Sequence, residues 1–331
     1  SDIDADNIIA TLSSSNENII IENNQITFGQ ILAGNNINQS VIFNVGENVI
    51  GQVTIDVLLE GSFLENDQVI NYNDNYHLYI DVTLNQNGFP YSTLNEVRTS
   101  PVISDLNQDG QYEIIFGDHF GNIHVINSNG EPVLEDTFPF DTDGQIWGSP
   151  AVADIDNDGY DDIIVTSKSK HLYILDRNGL KLDYDSGTQL IATPTIGNFD
   201  SDDELEIVFG GYSSNQNNLL LINSDGSDVF DSELYINEKN KSGFAIADFN
   251  DNDINDIVFG TDSDNLYLIY DDGTIADGFP FVAGDKFRLS PVIINYFGEM
   301  IIVAGSEDQH LYGLNKDGTV KFDITFDNQI T

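Results

Sequence analysis

One unit of sequence recurs five times in the C-terminal three quarters of the chain, and this repeat restricts the fold more than any other feature. Its turn pairs are Asn129-Gly130, Asn178-Gly179, Asp225-Gly226, Asp272-Gly273 and Asp317-Gly318, with the glycines 49, 47, 47 and 45 residues apart. Pairs of this kind supply the positive φ angles of tight hairpins. Each unit opens on a Ser-Pro-like step and an apolar strand: Ser100-Pro101-Val102-Ile103, Ser149-Pro150-Ala151-Val152, Thr193-Pro194-Thr195-Ile196, Gly243-Phe244-Ala245-Ile246 and Ser290-Pro291-Val292-Ile293, the fourth without proline. A polar loop follows, then a second strand such as Ile163-Ile164-Val165 or Ile257-Val258-Phe259, apolar without interruption. Runs of that kind fit strands buried on both faces. A third strand, the hairpin and a fourth strand complete the unit, in two cases with a Phe-Pro step, Phe138-Pro139 and Phe279-Pro280.

Four antiparallel strands every 45 to 50 residues predict the blades of a β-propeller. A solenoid is the rival, although its repeats are usually shorter and need fewer strands. Five units are few for a closed ring. Gly88-Phe89-Pro90-Tyr91, ahead of the first unit, resembles the outer strand of a blade, either donated to the last blade or left where further blades stood. We expect the chain to be a mature piece of a longer protein, with blades beyond Thr331 an open question.

The loop between the first two strands carries the chemistry. Numbered from its first ligand, it has side-chain oxygens at positions 1, 3, 5 and 9. The four sets are Asp105, Asn107, Asp109, Glu113; Asp154, Asp156, Asp158, Asp162; Asn198, Asp200, Asp202, Glu206; and Asp248, Asn250, Asn252, Asp256. The backbone carbonyls of Gln111, Tyr160, Glu204 and Ile254 add position 7. Position 6 needs a sharp turn, supplied by Gly110 and Gly159 and, in the other two loops, by Asp203 and Asp253, a residue type that tolerates the left-handed region. Calcium takes six to eight oxygens, whereas magnesium keeps several waters and zinc or copper prefers nitrogen and sulfur. Asp, Asn and Gly are also ordinary turn residues, but four such loops in register, each before the same strand, predict about four Ca2+ sites. Counting carboxylates ranks the second loop tightest with four, the first and third next with three, and the fourth weakest with two. The fifth loop, Asn295-Tyr296-Phe297-Gly298-Glu299, is too short to bind.

Asp-x-Asp-x-Asp-Gly-x-x-Asp followed by Ile-Val-Phe-Gly resembles the FG-GAP and VCBS-type repeats, and is similar to the calcium-binding blades of integrin α-subunit propellers. The resemblance covers about residues 99 to 331 and is partial in the fifth unit. It implies structural calcium between the first two strands of a blade, and domains that serve adhesion or recognition outside cells. In bacterial secreted proteins, including proteases and polysaccharide-degrading enzymes, such repeats are accessory parts.

Residues 1–86 carry no such repeat. Asn18–Ile21, Gln25–Phe28, Ser40–Val45, Gln52–Leu58 and Tyr76–Val82 are expected strands separated by Asn/Asp/Gly turns. They predict a small antiparallel, Ig-like β-sandwich acting as a spacer or a packing partner, ahead of a propeller over 87–331. The whole chain is therefore expected to be all-β.

Lys+Arg is 11 against 56 Asp+Glu, a net charge of −45. Such a surface argues against nucleic acid and anionic membranes as partners, and no apolar run is long enough to insert into a membrane. Absence of cysteine excludes disulfides, thiolate metal sites and cysteine nucleophiles. The histidines, His77, His119, His124, His171 and His310, form no metal or catalytic pattern, and no Gly-x-Ser-x-Gly or phosphate loop occurs. Arg98, Trp147, Lys241 and Arg288 lie just before the first strands, and would line a recognition surface if those ends share a side. The expected protein is a non-catalytic, secreted or cell-surface, calcium-stabilised propeller that binds a protein or glycan. The alternative is an accessory region of a secreted hydrolase whose catalytic domain lies elsewhere.

Overall fold

The computed structural model describes residues 4–46, 49, 51–65, 67–82, 88–202, 204–229 and 234–330. All regular elements among them are β-strands, and no helix long and apolar enough to cross a membrane is present. The chain divides into two compact units, Ser1–Asn87 and Gly88–Thr331.

In the first unit a four-stranded antiparallel sheet runs in the order Gln25–Ile31, Ala5–Ser13, Gly51–Glu65, Gln68–Val82, beside a two-stranded sheet of Ile19–Ile21 and Phe43–Val45. Ala10, Leu12, Ile19, Val53 and Ile55 form its small core, with Ile21 and Phe43 of the two-stranded sheet packed against them. Two features depart from the sequence reading. Ala5–Ser13, which it did not assign, is a central strand. Two expected short strands belong to a single 15-residue ladder pairing Gly51 with Val82 and Glu65 with Gln68.

The second unit contains five antiparallel sheets in which sequence neighbours are always sheet neighbours. The first is Val102–Ser104, Glu113–Gly117, Asn122–Ile126, Phe140–Asp141, and the second is Ala151–Ala153, Asp162–Thr166, His171–Asp176, Gly179–Asp185. The fourth is Ala245–Ala247, Asp256–Gly260, Asn265–Ile269, Phe281–Val282, and the fifth is Val292–Tyr296, Glu299–Gly305, His310–Leu314, Val320–Thr325. The third has three strands among the described residues, Thr195–Gly197, Glu206–Gly210 and Leu219–Ile222.

Successive sheets stack face to face, which explains the uninterrupted apolar runs. Ile163 and Val165 pack on Ile115 and Val125 of the first sheet, whereas Ile164 between them packs on Ile207 and Phe209 of the third. Ile257 and Phe259 meet Val208 and Leu221, and Val258 meets Ile302 and Leu314 of the fifth sheet. Alternation along a strand sends neighbours to opposite faces, and here both faces are covered. Each such buried aliphatic or aromatic side chain contributes about 1.5–3 kcal/mol.

The Ser-Pro steps join one sheet to the next. Ser100 N–H donates to Ser149 Oγ at 2.8 Å, Ser149 N–H to Thr193 Oγ1 at 3.0 Å, and Gly243 N–H to Ser290 Oγ at 2.9 Å. The fourth unit has Gly243 at this position and so offers no hydroxyl to the third. Gly88–Tyr91 forms no strand. A Cβ on Gly88 would fall 1.5 Å from Asn129 O in the first hairpin turn, as one on Gly278 would fall 2.0 Å from Asp317 O in the fifth. This segment therefore seats on the next unit's turn, as the Gly-Phe-Pro step at Gly278 does.

Candidate metal centres

Each candidate loop begins where a first strand ends and closes with position 9 as the first residue of the second strand. Ser104 pairs with Glu113, Ala153 with Asp162, Gly197 with Glu206, and Ala247 with Asp256. Position 2 is an apolar anchor, Leu106, Ile155, Phe199 or Phe249, at most 1% exposed. Buried anchors on one side and paired strands on the other hold the acidic turn between them.

Inside the turn, backbone N–H groups face the side-chain oxygens. Position 7 donates to the position 5 Oδ1 in all four loops: Gln111 to Asp109, Tyr160 to Asp158, Glu204 to Asp202 and Ile254 to Asn252, at 2.8–2.9 Å. In three loops position 1 accepts from both positions 5 and 6, as Asp154 does from Asp158 N at 3.0 Å and Gly159 N at 2.9 Å. Position 6 is left-handed at Gly110, Gly159 and Asp253, with φ of 86°, 89° and 67°; Asp203 lies outside the described residues. Position 4 is left-handed as well, at Gln108, Asn157 and Asp251.

The carboxylate at position 9 is buried in every loop: Glu113, Asp162, Glu206 and Asp256 are at most 1% exposed. One oxygen of Glu206 accepts from Phe199 N–H at 2.6 Å, and the Phe249 N–H to Asp256 contact is equivalent at 2.7 Å. Burial pushes Glu206 up to about 7 and Asp256 up to about 6, and raises Glu113 too.

Two loops bring three carboxylates together. Ligand oxygens of Asp154, Asp156 and Asp162, and likewise of Asp200, Asp202 and Glu206, lie within 4.8 Å of one another. In the third loop Glu206 Oε1 and Asn198 Oδ1 are buried without a hydrogen-bond partner among the described residues. A buried carboxylate oxygen without a donor is costly, and both atoms belong to position types expected to hold a cation. This all-oxygen donor set fits a hard divalent ion. The first and fourth loops form no such three-acid cluster among the described residues.

Two participants escaped the sequence reading because both lie beyond the loops. Lys181, on the fourth strand of the second sheet, places Nζ 2.6 Å from Asp156, 2.9 Å from Asp162 and 3.5 Å from Asp158. Burial works against its charge, but bonds to Asp156 and Asp162 outweigh this and raise its pKa. In the fourth loop, Asp271 Oδ1 accepts from Asn250 Nδ2 at 2.8 Å and Asn252 Nδ2 at 2.9 Å, while its N–H donates to Asp256 Oδ1 at 3.0 Å. The fifth sheet has only a tight turn here, pairing Tyr296 with Glu299 around Phe297-Gly298. Histidines 171 and 310 pair with Asp183 and Asp323 on the adjacent strand and stack on Tyr173 and Tyr312.

Residues 105–165, spanning the first two loops, match the FG-GAP-like repeat. No curated protein sequence matches the chain. The fold is similar to several propeller-like structures. The V. cholerae biofilm matrix protein Bap1 is 16% identical with a TM-score of 0.52, over 73% of this chain and 41% of that one. Quinohemoprotein alcohol dehydrogenase from Comamonas testosteroni is 11% identical with a TM-score of 0.52, over 70% and 43%. The quinohemoprotein alcohol dehydrogenase ADHIIG from Pseudomonas putida HK5 is 9% identical with a TM-score of 0.51, over 71% and 43%. This chain thus spans less than half the length of each of the three.

Proposed function

We propose that this chain is a non-catalytic, extracellular β-propeller, with a small β-sandwich before it, whose loops hold structural calcium and whose remaining surface serves adhesion or recognition. The fold alone does not choose this reading, since a matrix protein and alcohol dehydrogenases share it. The loops do. The observation that carries the reading is the third loop, where Glu206 stands with Asp200 and Asp202 and where Glu206 Oε1 and Asn198 Oδ1 lack a hydrogen-bond partner among the described residues. A divalent ion there would satisfy both and neutralise part of the −45 charge. Extracellular calcium suits the affinity expected of such oxygen sites. Commitment of these carboxylates to a scaffold leaves them unsuited to acid–base catalysis.

Thermal unfolding with saturating calcium and with excess chelator tests this, because an ion that binds only the folded state raises its stability. A melting temperature that falls on chelation and returns on adding calcium supports the reading. One indifferent to chelation overturns it.

A further inference from the structure

The end of the sheets opposite the loops gathers a second group of residues. Three positions of the repeat converge there. The residue three before the proline-equivalent is Arg98, Trp147, Ile191, Lys241 or Arg288, the residue five before it is Glu96, Gln145, Gln189, Lys239 or Lys286, and the residue two after the second strand is His119, Lys168, Tyr212, Asp262 or Glu307. The same backbone bond fixes the latter in all five units: His119 N–H to Glu96 O, Lys168 to Gln145, Tyr212 to Gln189, Asp262 to Lys239 and Glu307 to Lys286, at 2.7–3.0 Å. Trp147, Lys168, Ile191, Tyr212, Lys241 and Arg288, from four successive units, line one cavity of about 230 Å³.

Its charge is opposite to that of the chain. These three positions hold six of the eleven Lys and Arg residues, against three carboxylates, Glu96, Asp262 and Glu307. The carboxylates are already engaged. Arg98 bonds Glu96 at 2.9 Å, and Arg288 is held by Asp262 at 2.8 and 3.1 Å and by Glu307 at 3.2 Å. Lys168 lies 4.6 Å over the Trp147 ring and bonds the neutral Gln145. Neither Lys168 nor Lys241 has a carboxylate within 4.0 Å among the described residues. A chain with 56 acidic residues thus keeps two ammonium groups without a carboxylate partner, among the described residues, at one cavity.

We propose that this cavity binds a compact organic carboxylate, with Lys168 and Lys241 as its counter-charges and the positioned Arg288 fork beside them. Ile191, Trp147 and Tyr212 supply an apolar wall that suits a carbon skeleton rather than a bare inorganic ion. The volume is below the range for drug-sized ligands, so one sugar-acid or amino-acid-sized unit fits. The surrounding negative field repels polyanions, so recognition is of a single unit or chain end. This deepens the recognition role proposed above and rests on that role, though not on the metal loops.

Trp147 is the only tryptophan, so its emission reports on this cavity alone. The calcium-loaded chain is titrated with galacturonate, galactose, sulfate and polygalacturonate at constant ionic strength. Saturable change with galacturonate, none with galactose or sulfate, and no tighter binding of the polymer per uronate unit are expected. Lys241→Met makes binding at least about tenfold weaker without lowering the melting temperature, since Lys241 bonds no other group among the described residues. No saturable response by about 10 mM, an equal response to galactose or sulfate, tighter binding of the polymer, or an unaffected Lys241→Met variant would each overturn the site. Conversion of the bound carboxylate would instead overturn the non-catalytic reading and leave the site standing.

Discussion

Lys181 Nζ lies 2.9 Å from Asp162 Oδ1, so the loop with the most carboxylates carries its own cation. The ammonium also touches Asp156 and stands among the oxygens that a metal would need. A charge-count ranking of the four loops omits this competitor. Calcium entering here must displace a tethered ammonium, whereas the third loop holds no such cation among the described residues. Lys181→Met keeps the methylenes and removes the charge. It should tighten the second site by about tenfold or more, from lost competition at short range, and lower the melting temperature in chelator. Calorimetric titration of the variant beside the parent checks both, and an unchanged second site would show that Lys181 leaves the loop without cost.

Glu206 and Asp256 give the metal-free loops a pH response. The Glu206 carboxyl is raised by burial from 4.5 to about 7, and Asp256 is raised by burial from 3.8 to about 6. These two groups therefore hold more protons in the folded state than in the unfolded chain between about pH 4 and 7. Their contribution to stability in chelator is full below the unfolded values and is lost as pH rises through the folded ones. Calcium reverses the trend, because its ligands must be deprotonated and its affinity grows over the same window. Melting curves from pH 4.5 to 8, with and without chelator, should diverge as pH rises. Parallel curves would count against these carboxylates as ligands.

The repeat was legible because its information is local. Uninterrupted apolar runs, Asn-Gly and Asp-Gly turns and alternate oxygens each lie within about ten residues, and the stacked sheets reproduce them. What escaped notice depends on contacts between distant residues. Lys181 follows Asp162 by 19 residues and Asp271 follows Asp256 by 15, and only the folded sheet brings each pair together. Arg98, Trp147, Lys241 and Arg288 were visible as a series, but their partners Lys168 and Tyr212 sit at the far end of another strand. Ala5–Ser13 was missed for a different reason. It combines an apolar stretch with Asp6 and Asn7, and its place between two strands is a property of the sheet.

Glu206→Gln separates the role of the carboxylate from that of the fold. The amide keeps the shape and an acceptor for Phe199 N–H but cannot carry charge. In chelator at pH 8 the variant should be more stable than the parent, by on the order of 1–3 kcal/mol, the cost of an uncompensated buried carboxylate. In saturating calcium the order should invert, since the third site has lost a ligand charge. Thermal melts under the two conditions provide the test. A variant that is less stable in both would mean that Glu206 is held by packing alone.

Asp271 extends the fourth site beyond the nine-residue loop. Its Oδ1 lies 2.8 and 2.9 Å from the amide nitrogens of Asn250 and Asn252. A half-turn of the Asn250 amide exchanges its nitrogen and oxygen and would put that oxygen beside the Asp271 carboxylate, whereas Asn252 is held as it stands because its Oδ1 accepts from Ile254 N–H at 2.9 Å. The fourth loop then has three carboxylates, Asp248, Asp256 and Asp271, and need not be the weakest. Asp271→Asn and Asp271→Ala distinguish a ligand from a mere acceptor. If Asp271 binds the ion, both variants should weaken the fourth site by about tenfold, because Asn lacks the charge. If it only receives the two amides, Asn should behave as the parent and Ala alone should lower the melting temperature.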